Sequence, residues 1–113
     1  MSEFSCQSET VDGGCLVRLA GTADATAIPS LERCFAESAA AGHRLVVVDL
    51  SDMTFVNSIG MGLFLNLRKS VTAHGGAVRF AAPRPLVADA LRRVRLYDVL
   101  DIRDSLEAAL SSA

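Results

Sequence analysis

Among the reactive side chains of this sequence, the Ser58 hydroxyl is the one whose neighbours suggest a task. It lies in Asn57-Ser58-Ile59-Gly60-Met61-Gly62. Upstream, Val46, Val47, Val48 and Leu50 flank Asp49, as suits a strand covered on both faces. Asp52 and Asn57 then punctuate a polar turn. From Ile59 the spacing becomes helical, with Ile59, Leu63, Leu67, Ser70 and Val71 predicted on the inward side. Ser58 therefore falls at the mouth of a helix, where a hydroxyl can accept from a free N–H and the positive helix end favours negative charge. The plainest reading makes Ser58, or Asn57 beside it, a helix cap.

Gly60 and Gly62 argue for more than a cap, since each costs a helix about 1 kcal/mol relative to alanine. Their missing side chains would let another protein approach the hydroxyl closely. A wheel at 100° per residue sets Ser58 beside Met61, Gly62, Leu65, Lys69 and Thr72, away from the Ile59/Leu63/Leu67 stripe. Met61 and Leu65 are thus expected as an apolar pair on a wet face, a docking surface. The alternative is that both pack beneath a loop.

Other chemistries find less support. No G-x-S-x-G, P-loop or dinucleotide motif occurs. An activated serine needs a base, and His43 and His74 both follow predicted helices, His74 being suited to its helix's carbonyl end. Asp49 suggests a receiver-like phosphoacceptor, but such a site needs further carboxylates for a metal, and the first strand, FSCQSETV, offers only Glu9. Cys6, Cys15 and Cys34 lack C-x-x-C spacing, so neither zinc nor a disulfide framework is expected and all three are predicted as buried free thiols.

With 11 basic and 13 acidic residues the net charge is -2, which gives no field for nucleic acid. Arg84, Arg92, Arg93, Arg95 and Arg103 form the sole basic cluster, expected as a solvated face, next as a dock for an acidic partner, and last for RNA, since no aromatic is interleaved. No apolar run approaches the span of about 20 residues that a bilayer requires, and MSEFSCQSE lacks a signal pattern. A cytoplasmic protein without membrane insertion is expected.

The elements that must position Ser58 follow from the same patterns. The length of 113 residues suits one domain, 1–113, able to bury roughly two-thirds of its unfolded surface. Phe4 to Val11 and Cys15 to Ala20 flank Asp12-Gly13-Gly14, a hairpin signal. A two-residue turn would set residue 10 opposite 15 and residue 6 opposite 19, so Cys6 and Cys15 are not cross-strand partners. Helices are predicted over Ala27 to Ala41 (Ile28, Leu31, Phe35 and Ala39 inward), Ser58 to Ala73, Leu86 to Val94 (Leu86, Ala90, Leu91 and Val94 inward), and Ser105 to Leu110, capped by Asp104. Strands are predicted over Leu45 to Leu50, Ala77 to Ala81 and Val99 to Ile102. The expected fold is α/β, a mixed sheet that starts with a β-hairpin and packs against α-helices. Right-handed crossovers would bring the loops after Ala20 and Leu50 together, and Asp24 is placed to start the first helix.

Asp49-Leu50-Ser51, Phe55 and Asn57-Ser58-Ile59-Gly60-Met61-Gly62 resemble the phosphorylation-site segment of bacterial anti-sigma factor antagonists of the STAS domain family. The likeness extends over nearly the whole chain, to the terminal DSLEAAL. Gly21 and Asp24 match the family pattern, and the resemblance implies, as the alternative to helix initiation, that Asp24 helps to form the rim near Ser58; Thr22 and Ala23 depart from the pattern, as does Asn57, where the phosphorylated antagonists usually carry Asp. The resemblance implies that Ser58 is phosphorylated by an anti-sigma factor that is a serine kinase, and that a serine phosphatase resets it. Unphosphorylated, the chain would hold the kinase and free a sigma factor. Partner-binding positions would be Asp24, Asn57, Ser58, Gly60, Met61, Gly62 and Leu65. The chain would be no enzyme and carry no cofactor or metal, ATP and magnesium belonging to the kinase. A phosphate adds about -1.5 to -2 charges, which a helix N-terminus tolerates, so release would arise at the interface by bulk, repulsion and desolvation. Asn57 favours a second reading, a STAS scaffold or transporter accessory subunit that is never phosphorylated.

Overall fold

The computed structural model describes residues 3–111. Strands β1 (Ser5–Val11) and β2 (Gly14–Ala23) form the predicted hairpin. Thr10 pairs with Cys15 and Cys6 with Leu19, the register set by a two-residue turn. Gly13, at φ +81°, supplies the left-handed residue that this turn requires. There follow α1 (Ile28–Ala40), β3 (Leu45–Val56), α2 (Ser58–Ala73), β4 (Ala77–Ala81), α3 (Pro85–Arg93), β5 (Asp101–Arg103) and α4 (Leu106–Leu110). The strands lie side by side in the order β1-β2-β3-β4-β5, with β1 antiparallel and the rest mutually parallel. This is the mixed α/β sheet that the alternating pattern predicts.

Alternation along the strands divides the apolar residues between two faces. Val17 and Leu19 of β2, Val46, Val48 and Leu50 of β3, and Phe80 of β4 pack with Leu31, Phe35, Phe64, Leu67, Val87 and Leu91 of the helices. Phe64 is central, its ring 5.9 Å from that of Phe35 and 5.0 Å from that of Phe80. On the opposite face Leu16, Val47 and Ala81 cluster with Ala109 of the short α4.

Several boundaries and faces differ from expectation. The polar turn expected after Leu50 is strand: β3 runs on to Val56, and Gly21, Thr22 and Ala23 pair with Met53, Phe55 and Val56 through register shifts. Bulged pairing of this kind keeps Met53 and Val56 inward while Asp52 and Phe55 reach solvent. Helix α2 has its expected bounds but is rotated: Gly60, Met61, Phe64, Leu67 and Val71 are buried, and Ile59 is 61% exposed. Apolar residues recur almost all round this helix, so periodicity alone defines no unique stripe. Likewise in α3 Val87, Ala88 and Leu91 face inward, whereas Leu86 and Val94 are exposed. Helix α4 is capped by Ser105, whose Oγ accepts from the Ala108 N–H at 3.0 Å, and not by Asp104. The expectation of three free thiols also fails. Cys6 and Cys34 form a disulfide that joins β1 to α1, and Cys15 alone is free and buried.

Candidate functional site

Helix α2 starts where β3 ends, and Asn57 is the joint between them. Its backbone is extended, and its Oδ1 accepts from the Gly60 N–H at 2.8 Å, satisfying a first-turn donor. Its own N–H donates to the Ala23 carbonyl at 3.0 Å, tying the end of β3 to the end of β2. Asn57 is thus the cap, and Ser58 is the first helical residue, exposed to solvent. Among the described residues no group bonds its hydroxyl. Capping therefore accounts for Asn57 and leaves Ser58 available.

Asp24 does not cap α1, which begins behind Ala27 without a side-chain cap. It builds the preceding turn instead: its Oδ1 accepts from the Thr26 N–H at 3.1 Å and the Thr26 hydroxyl at 2.7 Å, and its carbonyl accepts from the Ala27 N–H at 3.0 Å. The Thr26 hydroxyl is the main reason that this carboxyl is held below its ordinary pKa. Because Ala23 is bonded to Asn57, the exposed Asp24 lies on the same edge as Ser58. Beside this rim, Glu3, Phe4, Thr22, Asp24, Thr26, Ala27 and Ser30 line a concavity of about 410 Å³.

The two glycines serve different ends. A Cβ on Gly60 would lie 2.7 Å from Val56 Cγ2, so Gly60 lets the helix start press onto β3. Gly62 faces open space, as an approach to the hydroxyl would require. Met61, expected on the wet face, is buried, and Leu65 is half-buried against the main core, so the two do not form an exposed docking pair. The exposed apolar side chains near Ser58 are Ile59 and Phe55, the latter 43% exposed. Sequence reasoning missed them by assigning Ile59 to the core and Phe55 to a turn; the signal available was the skipped Phe64, whose inward position fixes the helix rotation.

The remaining candidates separate from this edge. Asp49 is buried within β3, its Oδ1 accepting from the Ser51 N–H at 3.0 Å. Among the described residues no group of three His, Cys, Asp or Glu side chains could hold a metal beside it, so the receiver-like reading lacks its carboxylate set. His74 ends α2, its Nδ1 2.9 Å from the Ser70 carbonyl oxygen, as expected. The basic cluster is partly dispersed into local pairs. Arg84 donates to the Ser51 carbonyl at 2.8 Å and lies 3.9 Å from Asp52, and Arg103 pairs with Asp101 at 2.7 Å. Arg92 pairs with Asp89 at 3.1 Å and covers the Tyr97 ring at 4.2 Å. No helix among the described residues is long and apolar enough to cross a membrane.

The molecule is thus a small α/β domain whose mixed sheet brings an exposed serine hydroxyl to the start of a helix, with an acidic turn on the same edge. The chain belongs to the STAS domain family, whose pattern matches residues 5–109. Over 69 residues it is 29% identical to the Thermotoga neapolitana homologue of TM1081, described as an anti-sigma factor antagonist; the match covers 61% of this chain and 61% of that relative, under two-thirds of its length. An anti-sigma factor antagonist from Mycobacterium paratuberculosis shares the fold with a TM-score of 0.88 at 22% identity, covering 96% of this chain and 92% of that one. The antagonist SpoIIAA in its unphosphorylated form gives 0.75 at 22% identity over 92% of each chain. Its phosphorylated form, from Bacillus, gives 0.72 at 20% identity over 94% of this chain and 96% of that one.

Proposed function

We propose that the protein is an anti-sigma factor antagonist: unphosphorylated, it docks on an anti-sigma factor serine kinase and frees a sigma factor, and phosphorylation of Ser58 releases it. The observation that carries this reading is the division of labour at α2, where Asn57 takes the cap and leaves the Ser58 hydroxyl exposed. The named relatives support the role, and the likeness to SpoIIAA in both its forms accords with a switch that leaves the fold in place.

The physics of release is local. A phosphate on Ser58 would carry about -1.5 to -2 charges beside free N–H groups and the positive end of α2, which the helix accommodates. The same charge introduced beneath a partner's apolar or acidic surface must be desolvated, and it displaces that surface from Ile59. At the helix start itself Asn57 does not oppose a phosphate. A neutral amide caps as well as a carboxylate and adds no repulsion against the phosphate. In this reading Asp24, Asn57, Ser58, Gly62 and Ile59 form the contact edge, and Gly60, Met61 and Leu65 hold it in shape. The chain itself has no catalytic role or cofactor, ATP and magnesium acting in the kinase, and a serine phosphatase restores the hydroxyl.

Intact-mass analysis of the protein from its own cells, with peptide mapping, tests the assignment. Phosphate on Ser58 that disappears in Ser58→Ala, with kinase binding retained by that variant, is the expected result. Absence of phosphate under every growth condition would overturn the switch and favour the constitutive STAS scaffold or transporter subunit.

A further inference from the structure

The reactive groups outside the Ser58 edge are concentrated in the cysteines. We propose that Cys6 and Cys34 are a reversible redox modification site, a dithiol/disulfide pair that clamps the edge strand β1 onto α1. The inference is independent of phosphorylation.

Geometry makes the pair a clamp. Cys6 and Cys34 have Cα atoms 6.6 Å apart, and 28 positions of sequence separate them. Cys6 lies on the face of the hairpin that looks at α1, and both half-cystines are partly exposed, within reach of an external thiol. The strand they secure is weakly held otherwise. β1 bonds only to β2, at the margin of the sheet, and most of its residues are exposed. On the α1 side only Phe4 and Cys6 of this segment pack against the core, while Ser8 and Thr10 are exposed. A segment with so few apolar contacts opens before the rest of a domain does, and a covalent tie to a core-packed helix changes its behaviour most.

Cys15 does not compete for the bond. Its pairing with Thr10, four residues along β1 from Cys6, places it roughly 13 Å from the clamp along the strand, beyond the reach of a disulfide. Burial also pushes its thiol pKa up, which leaves little thiolate. The exchange partner is therefore external. In reduction, a thiolate of an external dithiol attacks one cystine sulfur and the Sγ–Sγ bond breaks. Its electron pair leaves on the other sulfur, which takes a proton. The second thiolate of the dithiol then resolves the mixed disulfide, so two cysteine thiols form and the dithiol departs as its own disulfide. A low-molecular-weight disulfide such as oxidised glutathione reverses the exchange, taking up the two electrons as two thiols.

The test uses the full chain in buffers of reduced and oxidised glutathione, then in dithiothreitol, with thiols alkylated and counted by mass. One reactive thiol on denaturation of the oxidised form, Cys15, and three in the reduced form are expected. Reduction should lower the melting temperature by roughly 10 °C or more and restore it on reoxidation. Amide exchange should accelerate in β1 and leave β3 and β4 protected. Cys34→Ser should melt like the reduced protein and ignore dithiothreitol. If that variant does not fold, reduction of the natural chain decides alone. A bond that never forms at any glutathione ratio, one that resists dithiothreitol in the native state, or a reduction that leaves both melting and β1 exchange unchanged would each overturn the proposal.

Discussion

Replacing Asn57 probes both the architecture of α2 and the electrostatics of a phosphate on Ser58. Asn57→Ala removes the acceptor of the 2.8 Å bond from Gly60 and strands a first-turn donor, a loss of about 1 kcal/mol. In a domain of this size that lowers the melting temperature by roughly 4 °C. Asn57→Asp keeps the acceptor and sets a negative charge at the positive helix end, a gain of about 0.5 kcal/mol. With phosphoserine installed at position 58 by genetic incorporation, the gain disappears. At about 6 Å in water the introduced carboxylate and a doubly charged phosphate repel by about 1.4 kcal/mol, roughly halved by physiological salt. Half of that repulsion is relieved when the phosphate takes up a proton, which would raise its second pKa, ordinarily about 6, by about a quarter of a unit in Asn57→Asp. Denaturation of the parent, the two variants, and the phosphoserine forms of the parent and of Asn57→Asp gives the stabilities, and phosphorus NMR titration of the last two gives the phosphate pKa. An Asn57→Ala variant as stable as the parent would refute the cap assignment. Equal phosphate pKa values would refute the electrostatic reasoning.

The two glycines should answer oppositely to alanine. Gly60→Ala drives a Cβ against the buried, β-branched Val56 and loses about 1–2 kcal/mol despite better helix propensity, whereas Gly62→Ala meets open space and gains up to about 1 kcal/mol, both read by urea denaturation. Ile59→Asp, at an exposed first-turn position, should leave the melting temperature within about 2 °C and weaken kinase binding at least tenfold by calorimetry, while Leu65→Asp should destabilise the fold. Unimpaired kinase binding by Ile59→Asp would remove this side chain from the interface. The Asp24 carboxyl, lowered chiefly by the Thr26 hydroxyl, contributes stability that is present above its unfolded pKa and is lost as pH falls through the lower folded value. Thr26→Val should move its NMR titration back toward the ordinary carboxylate range, and an unmoved titration would show that the hydroxyl is not the cause.

Much of this molecule is written in local pattern. The Asp12-Gly13 turn determines the hairpin register to the residue, because a two-residue loop between alternating strands permits one pairing. The bounds of α2 and β4 follow from the change of period after Asn57 and from the Gly75-Gly76 break. The placement of Ser58 at a helix start, and of the β2 and β3 ends on one edge, also follows from sequence, since parallel crossovers of one hand leave little alternative. Three decisions belonged to tertiary structure. The rotation of α2 was not legible because Ile59, Met61, Leu63, Phe64 and Leu65 are all apolar; the choice fell to Phe64 seated between Phe35 and Phe80 and to Gly60 pressed on Val56. Continuation of β3 through Ser51, Asp52 and Thr54 depended on a bulged partner strand, which no pattern within β3 itself encodes. The Cys6–Cys34 bond depended on folding β1 over α1, for the two cysteines carry no spacing signal and meet only when the edge strand and the helix are packed. Local sequence determined where the hairpin turns and where α2 and β4 begin and end, because caps, turns and periods act over a few residues; packing decided how far β3 runs and which faces and which sulfurs meet, because those choices are made between segments that are distant in the chain.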